Sequence, residues 1–392
     1  MYETNKVADA IMWGKFDEAR ELLKAGETLS GNHVQNNKRQ IFTCILRGKA
    51  FDLIDVLIEN GLIETDVYEY DDFDKSFFKT IAAELTNDDD SINFFKNFLE
   101  KIQNKNDEVK DQTLLGYCLT AGADPIVIKC LIDAGCDVNY KNNSEGNFIH
   151  LVVRENMLNK QRGAAYINLL ISEGVNINDK DIIAESPLMI ATKGHQKEYM
   201  EILLQNGADA NEQDKDGNSP FFIAIVYQQD LEIYRLLKEY ATPDFDIANK
   251  NGDYMFPLYI KGLGYSDFVL LKEMLNDGAD LYQSCLEYSV QKSGIDWIAE
   301  KPAELLKAVL STDAISVNKQ DDAGNTILHK VCAFDVRYEP ESAREIYQKV
   351  KLLLAAGADA QITNDKDQTV LMLAQTDNLK IKTVELLMQQ KL

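Results

Sequence analysis

Apolar positions recur along this chain in one arrangement: an apolar helix end, then a glycine, then a short polar tail. It reads LIDAGCDVN, LLISEGVNIN, ILLQNGADAN, EMLNDGADL and LLLAAGADAQ in turn. The marker glycines are Gly26, Gly61, Gly135, Gly174, Gly207, Gly278 and Gly357. Three of their gaps are double. Ala241 and Asp313 stand at the midpoint of two, and near Lys101 the marker has decayed. The period is therefore about 33 to 39 residues, with one longer unit near the end, and such a period signals a stacked array.

A second pattern begins about 12 residues after each marker: NFIHLVV from Asn147, SPLMIAT from Ser186, SPFFIAI from Ser219, NTILHKVC from Asn325, QTVLMLAQ from Gln368 and QTLLGYCL from Gln112. Ser186 and Thr326 suit a helix start because a side-chain oxygen can accept from unpaired backbone N–H groups, and Pro187 and Pro220 suit the first helical position. Small residues such as Ala191 and Ala224 allow close helix approach. Met200, Ile202, Leu203 and Leu204, like Val350, Leu352, Leu353 and Leu354, make an apolar face on a second helix. The closing glycine can adopt the left-handed conformation that ends it. Each unit is thus predicted to be a helix pair that buries its apolar faces only against its neighbours.

These strings resemble T-P-L-H-x-A, the opening of the ankyrin repeat. The unit Asp179–Asn211 matches that family nearly end to end, including Gly194-His195 between its helices. The resemblance runs from about Val7 to Leu387 and is clearest over Glu108–Asp246 and Lys319–Leu392. Asp66–Asp107 and Tyr282–Asn318 are recognisable mainly by spacing. It implies an all-α ankyrin-repeat solenoid, elongated and curved, with helix-turn-helix units joined by short loop or β-turn fingers. The units fall at about 1–37, 38–65, 66–107, 108–139, 140–178, 179–211, 212–246, 247–281, 282–318, 319–361 and 362–392, as one array over 1–392. At helix spacings of about 8–10 Å, they would form a rod on the order of 100 Å long. The family pattern also implies that His150 and His329 bond to neighbouring backbone, and that His195 is structural.

Two units are swollen between their helices, by Glu155–Ala165 and by Phe334–Arg344. Insertions of this kind are either tolerated surface or binding loops. Between Asp66 and Asp90 lie nine acids and two lysines, interleaved with Tyr68, Tyr70, Phe73, Phe77 and Phe78. Acids alone make a solvated face, whereas the aromatic interleaving points to a docking patch for a basic segment.

Charge narrows the partner. The balance of 41 Lys+Arg against 64 Asp+Glu gives a net −23. Phosphate backbones and anionic lipid surfaces are repelled, and basic proteins are attracted. The six cysteines show no C-x-x-C spacing and read as reduced, buried small residues. The opening MYETNKVADAIMWGKF carries acids and a Trp where a signal peptide needs an apolar stretch, so none is expected, and the longest apolar run, Phe221–Tyr227, is too short to span a bilayer. A cytoplasmic protein, monomeric when free, is expected, or one delivered into a host cell if it is an effector.

Catalytic motifs are absent: no H-E-x-x-H, G-x-S-x-G or P-loop string occurs, and Gly262 with Gly264 lacks the third glycine of a nucleotide loop. No enzyme, metal or cofactor is expected. Ankyrin partners lie on finger tips and the exposed face of each first helix, which by position implies Tyr140, Lys141, Asp179, Lys180, Glu212, Asp214, Asp216, Lys250, Asp321 and Asp322 at the tips. On first helices it implies Arg154, Tyr227 and Tyr259; the second insertion separately offers Arg337 and Tyr338 as candidate contacts. The expected function is a protein–protein interaction module whose acidic concave surface holds a basic protein, as an inhibitor or immunity-type protein. The alternative is an effector or scaffold that bridges proteins without inhibiting them.

Overall fold

The first helix of a repeat opens on a side chain that answers its free amides. The oxygens of Thr113, Ser186, Ser219, Thr326 and Thr369 each accept from a backbone N–H in the first turn. All seven marker glycines adopt left-handed backbone, with φ between 66° at Gly61 and 102° at Gly278. Helix starts and stops were therefore both written in the pattern.

The computed structural model describes residues 5–155, 158–264, 268–287 and 290–390. The chain divides into two compact units, Met1–Asp209 and Ala210–Leu392. In the first unit the helix pairs are α1 (Lys6–Met12) with α2 (Phe16–Lys24), α3 (Asn32–Arg47) with α4 (Leu53–Glu59), and α5 (Phe77–Glu84) with α6 (Asp89–Lys101). They continue as α7 (Leu114–Thr120) with α8 (Pro125–Asp133), α9 (Phe148–Arg154) with α10 (Lys160–Ser172), and α11 (Pro187–Lys193) with α12 (Lys197–Gln205). Ile149, Val152, Leu170, Leu188 and Leu203 are among its fully buried side chains.

The second unit pairs α13 (Pro220–Phe222) with α14 (Leu231–Lys238), α15 (Met255–Gly262) with α16 (Val269–Asn276), and α17 (Gly294–Glu300) with α18 (Ala303–Leu310). It ends with α19 (Ile327–Ala333) beside α20 (Pro340–Ala355), and α21 (Val370–Ala374) beside α22 (Ile381–Gln389). Phe221, Tyr234, Phe256, Leu271, Leu306 and Val350 lie in its core. Among the described residues no helix is long and apolar enough to cross a membrane. The architecture is an all-α repeat fold.

Three features depart from the regular unit. The insertions do not form long free loops; they lengthen the second helix, to 13 residues in α10 and 16 in α20 against 9 in α12. Residues 156 and 157 of the first insertion lie outside the described residues. The ninth repeat replaces its finger with an antiparallel hairpin, β1 (Ser284–Glu287) and β2 (Val290–Ser293), the sole sheet among the described residues. In the third repeat, Phe73, Phe77 and Phe78 are buried, Phe77 packing edge-on against Phe98 at 5.3 Å between centroids. Those rings are core, so the acid-and-aromatic docking patch keeps only Tyr68 as a fully displayed aromatic, at 78% exposed.

In the second unit, lysines answer the carbonyl ends of first helices. Lys301 donates to the Leu263 carbonyl at 2.6 Å, Lys349 to Ala299 at 2.7 Å and Lys380 to Cys332 at 2.8 Å. A cation at a helix C-terminus is favoured by the dipole and satisfies a carbonyl left free by the helix. Burial nevertheless pushes the Lys349 ammonium down to about 8.

Candidate protein-binding surface

Six fingers are built alike. Asn142, Asp181, Asp214, Asn249, Asp321 and Asn364 each place one side-chain oxygen to accept the backbone N–H groups two and four residues on, at 2.8–3.0 Å. The third residue after each takes left-handed backbone: Glu145, Ala184, Gly217, Gly252, Gly324 and Asp367. Such a side-chain staple adds to the backbone turn bond, which each finger also makes from that third residue to the staple's own carbonyl at 2.8–3.1 Å, and fixes the loop.

Neighbouring fingers are then laddered by one amide each: Ile182 to the Ser144 carbonyl at 2.8 Å, Lys250 to Asp216 at 2.9 Å and Asp365 to Ala323 at 3.2 Å. The approach is close enough to demand glycine. A Cβ on Gly217 would sit 2.8 Å from the Asn249 Cα and the Lys250 nitrogen, and one on Gly324 would sit 2.7 Å from the Asp365 nitrogen. Asparagines clasp the repeats at the polar tails as well. Asn178 donates to the Gly207 carbonyl and accepts from Asp209, and Asn318 does the same with Gly357 and Asp359.

His150 and His329 are buried beneath this strip. Each completes a capping box, and their Nε2 atoms lie 3.0 Å from the Glu185 carbonyl and 3.2 Å from the Gln368 carbonyl. Burial lowers both imidazoles below their ordinary value, which favours the neutral ring. They tie one repeat to the next, as the family pattern implied. Burial also pushes the Cys136 and Cys332 thiols up to about 12, far from a nucleophile's range. Among the described residues no group of His, Cys, Asp and Glu could hold a metal ion.

The structure sorts the candidate contact residues into three groups. Asp214 and Asp321 do not present their carboxylates; they are the staples of their own fingers. Asp321 also pairs with Lys330 at 2.7 Å. Although burial opposes ionisation, that ammonium and two backbone amides hold its carboxyl below the usual range. Glu212 is half-buried. Tyr259 is a correction. It is only 2% exposed, because counting from the helix cap it occupies the position of Ala191 and Ala224, which faces the core. Tyr227 sits three residues further from its own cap, in a widened π-helical turn over Ile223–Gln228, and is 62% exposed.

A second group lies on the surface in ion pairs: Lys141 with Asp179 at 2.8 Å, and Arg154 with Asp181 and Glu185. Burial works against the Asp181 charge, but Arg154 and two backbone amides hold its carboxyl below the usual range. Lys180 is half-buried, and the Tyr140 hydroxyl donates to Glu108 at 2.9 Å. The third group projects outward: Asp216, Lys250, Asp322, Arg337 and Tyr338. Tyr338 is 95% exposed on a turn where it and Arg337 both adopt positive φ, anchored by fully buried Val336.

Sequence reading missed Ile182 and Ile183, each about half exposed at a finger tip, and Leu286 and Val290 on the hairpin. The signal for the first pair was present: aligned on the staple, D-I-I-A at 181–184 stands where D-K-D-G stands at 214–217.

Comparison with known proteins agrees with this geometry. The ankyrin-repeat family model matches residues 157–251 in three copies. No curated protein matches in sequence. Among solved structures, the ankyrin repeat domain of Bcl-3, described as a unique member of the IkappaB protein family, is 19% identical, with a TM-score of 0.49, over 62% of this chain and 99% of that one. The class is thus a helical repeat protein that works as an interaction module. Residues 157–251, about a quarter of the chain, match the ankyrin-repeat family as three repeats.

Proposed function

We propose that the chain is a monomeric, cytoplasmic binding protein whose finger surface captures a basic protein and, by covering it, inhibits it. The observation that carries this reading is where the charge lies. Residues 51–100 hold 14 acids against 3 bases, nearly half of the net −23 of the whole chain. Six of those acids are spent on pairs with Arg20, Lys101, Lys110, Lys79, Arg47 and Lys49. Glu69 and Asp71 remain exposed beside the displayed Tyr68 on the loop side, and Glu59, Asp89, Asp90 and Glu100 remain exposed on the second helices α4 and α6, where they add to the field. Acids of this density on a prefolded surface speed encounter with a basic partner and weaken with salt.

A specific observation favours the scaffold reading for the second unit. Its last stretch, residues 301–392, holds 13 acids against 12 bases and displays Tyr338, 95% exposed. A second, charge-neutral contact suits a protein that bridges.

Capture from lysate in steps of rising salt tests the proposal. The expected result is a basic partner released as salt rises, whose own activity falls when the chain is added. Capture of acidic or salt-indifferent proteins alone contradicts it. A basic partner whose activity is unchanged selects the scaffold over the inhibitor.

A further inference from the structure

Between loop 110–113 and loop 140–148 of the first unit lies an open cavity of about 270 Å³. That falls below the roughly 300–1,000 Å³ of small-molecule sites and matches a single large side chain. Its wall is aromatic. The rings of Tyr140 and Phe148 lie 5.8 Å apart at 30°. Leu151 continues the wall, and Gly116 leaves room for it, since a Cβ there would stand 3.3 Å from Phe148 Cε1. The Tyr140 hydroxyl is committed to Glu108, which orients the ring and brings a carboxylate to the rim.

The charges around the cavity are unequal. Lys110 is drawn onto Asp72 at 2.6 Å, Lys141 onto Asp179 at 2.8 Å, and Arg154 onto Asp181 and Glu185. Each of these three cations is thereby paired. Asp111 is exposed at the mouth and held in left-handed backbone at φ 62°, next to Lys110 at 54°. Neither Asp111 nor Glu108 has an ion pair among the described residues. An apolar, aromatic slot with surplus carboxylate at its rim complements a planar cation: a guanidinium stacks on ring faces and offers a fork to a carboxylate, which an ammonium cannot.

We infer that this cavity receives one arginine side chain of the partner, stacked on Tyr140 and Phe148 and met at the rim by Asp111. The inference rests on the basic-partner reading and adds to it a specificity that charge alone lacks.

The test uses the full chain and two fluorescently labelled nonapeptides of Gly and Ser, one with three arginines and one with three lysines, followed by anisotropy at low salt. The arginine peptide is expected to bind about tenfold more tightly than the lysine peptide. Asp111→Asn keeps the left-handed backbone, which asparagine tolerates, and should remove most of that preference. Tyr140→Leu, checked by its thermal melt, should remove the rest. Equal binding of both peptides, unchanged in D111N, overturns the pocket and leaves the basic-partner reading standing. Binding of neither peptide overturns the pocket, and the salt-stepped capture then decides the wider reading separately.

Discussion

The finger at residues 181–185 and the hairpin at 284–293 occupy the same place in their repeats and are held by different means. In the first, a single carboxylate collects two amides of its own loop, in addition to two backbone bonds, Ala184 to the Asp181 carbonyl at 2.8 Å and Asp181 to the Glu185 carbonyl at 3.1 Å. In the second, strand β1 pairs with β2 through four residue pairs, and its hold on the preceding finger is the Leu286 amide bonded to Asp253 at 2.9 Å. Side-chain staples concentrate stability in one residue and leave the tip free to vary. A backbone ladder spreads it and tolerates substitution. A repeat protein can therefore change what its tips present without touching its core, provided the staple stays.

Substitutions separate the two designs. The largest effect is expected at Asp181→Ala, which orphans two amides at a buried site and leaves the Arg154 guanidinium to Glu185 alone. A loss of about 3 kcal/mol is expected in denaturant unfolding of the first unit. Next is Gly324→Ala, where positive φ and contact with Asp365 combine, at about 2 kcal/mol. Its mirror sharpens the point. Ala184→Gly, at the equivalent position with φ 59°, should raise stability by about 0.5 kcal/mol, because strain is relieved while chain entropy increases.

Asp253→Ala should cost about 1 kcal/mol and increase amide exchange in the hairpin while leaving the other fingers protected. A loss at Asp253 as large as that at Asp181 would erase the distinction. The smallest effect vanishes at neutral pH. His150 and His329 are lowered in the folded state, so below about 6.5 the unfolded chain binds more protons and stability falls as pH drops further. A pH titration of unfolding should show this slope, and His329→Gln should reduce it.

Much of this fold was legible because each helix must be stopped and started by particular residues. Seven glycines and a set of Ser, Thr and Asn caps gave the period and the helix pairs. The fingers were legible where the turn used glycine, at 214–218 and 321–325, and obscure where Glu145, Ala184 and Asp367 take the same backbone without it. Tyr259 was misplaced because Tyr254 opens its helix with no side-chain cap bond, so the register could not be counted from a Ser or Thr. The rings of the third repeat looked like surface because acids surround them in sequence. Asp66, Asp72 and Asp88 in fact cap helical turns over those buried rings.

The central claim is that the stapled fingers and the acidic loop around Tyr68, and not the outer helices, make the contact with a basic protein. Hydrogen exchange on the full chain, free and bound to the captured partner, tests it most directly. The account predicts slowed exchange at 66–74, 107–111, 140–145 and 181–185, reversed by added salt. Protection confined to second helices such as α8 and α12, with the fingers unchanged, would contradict it.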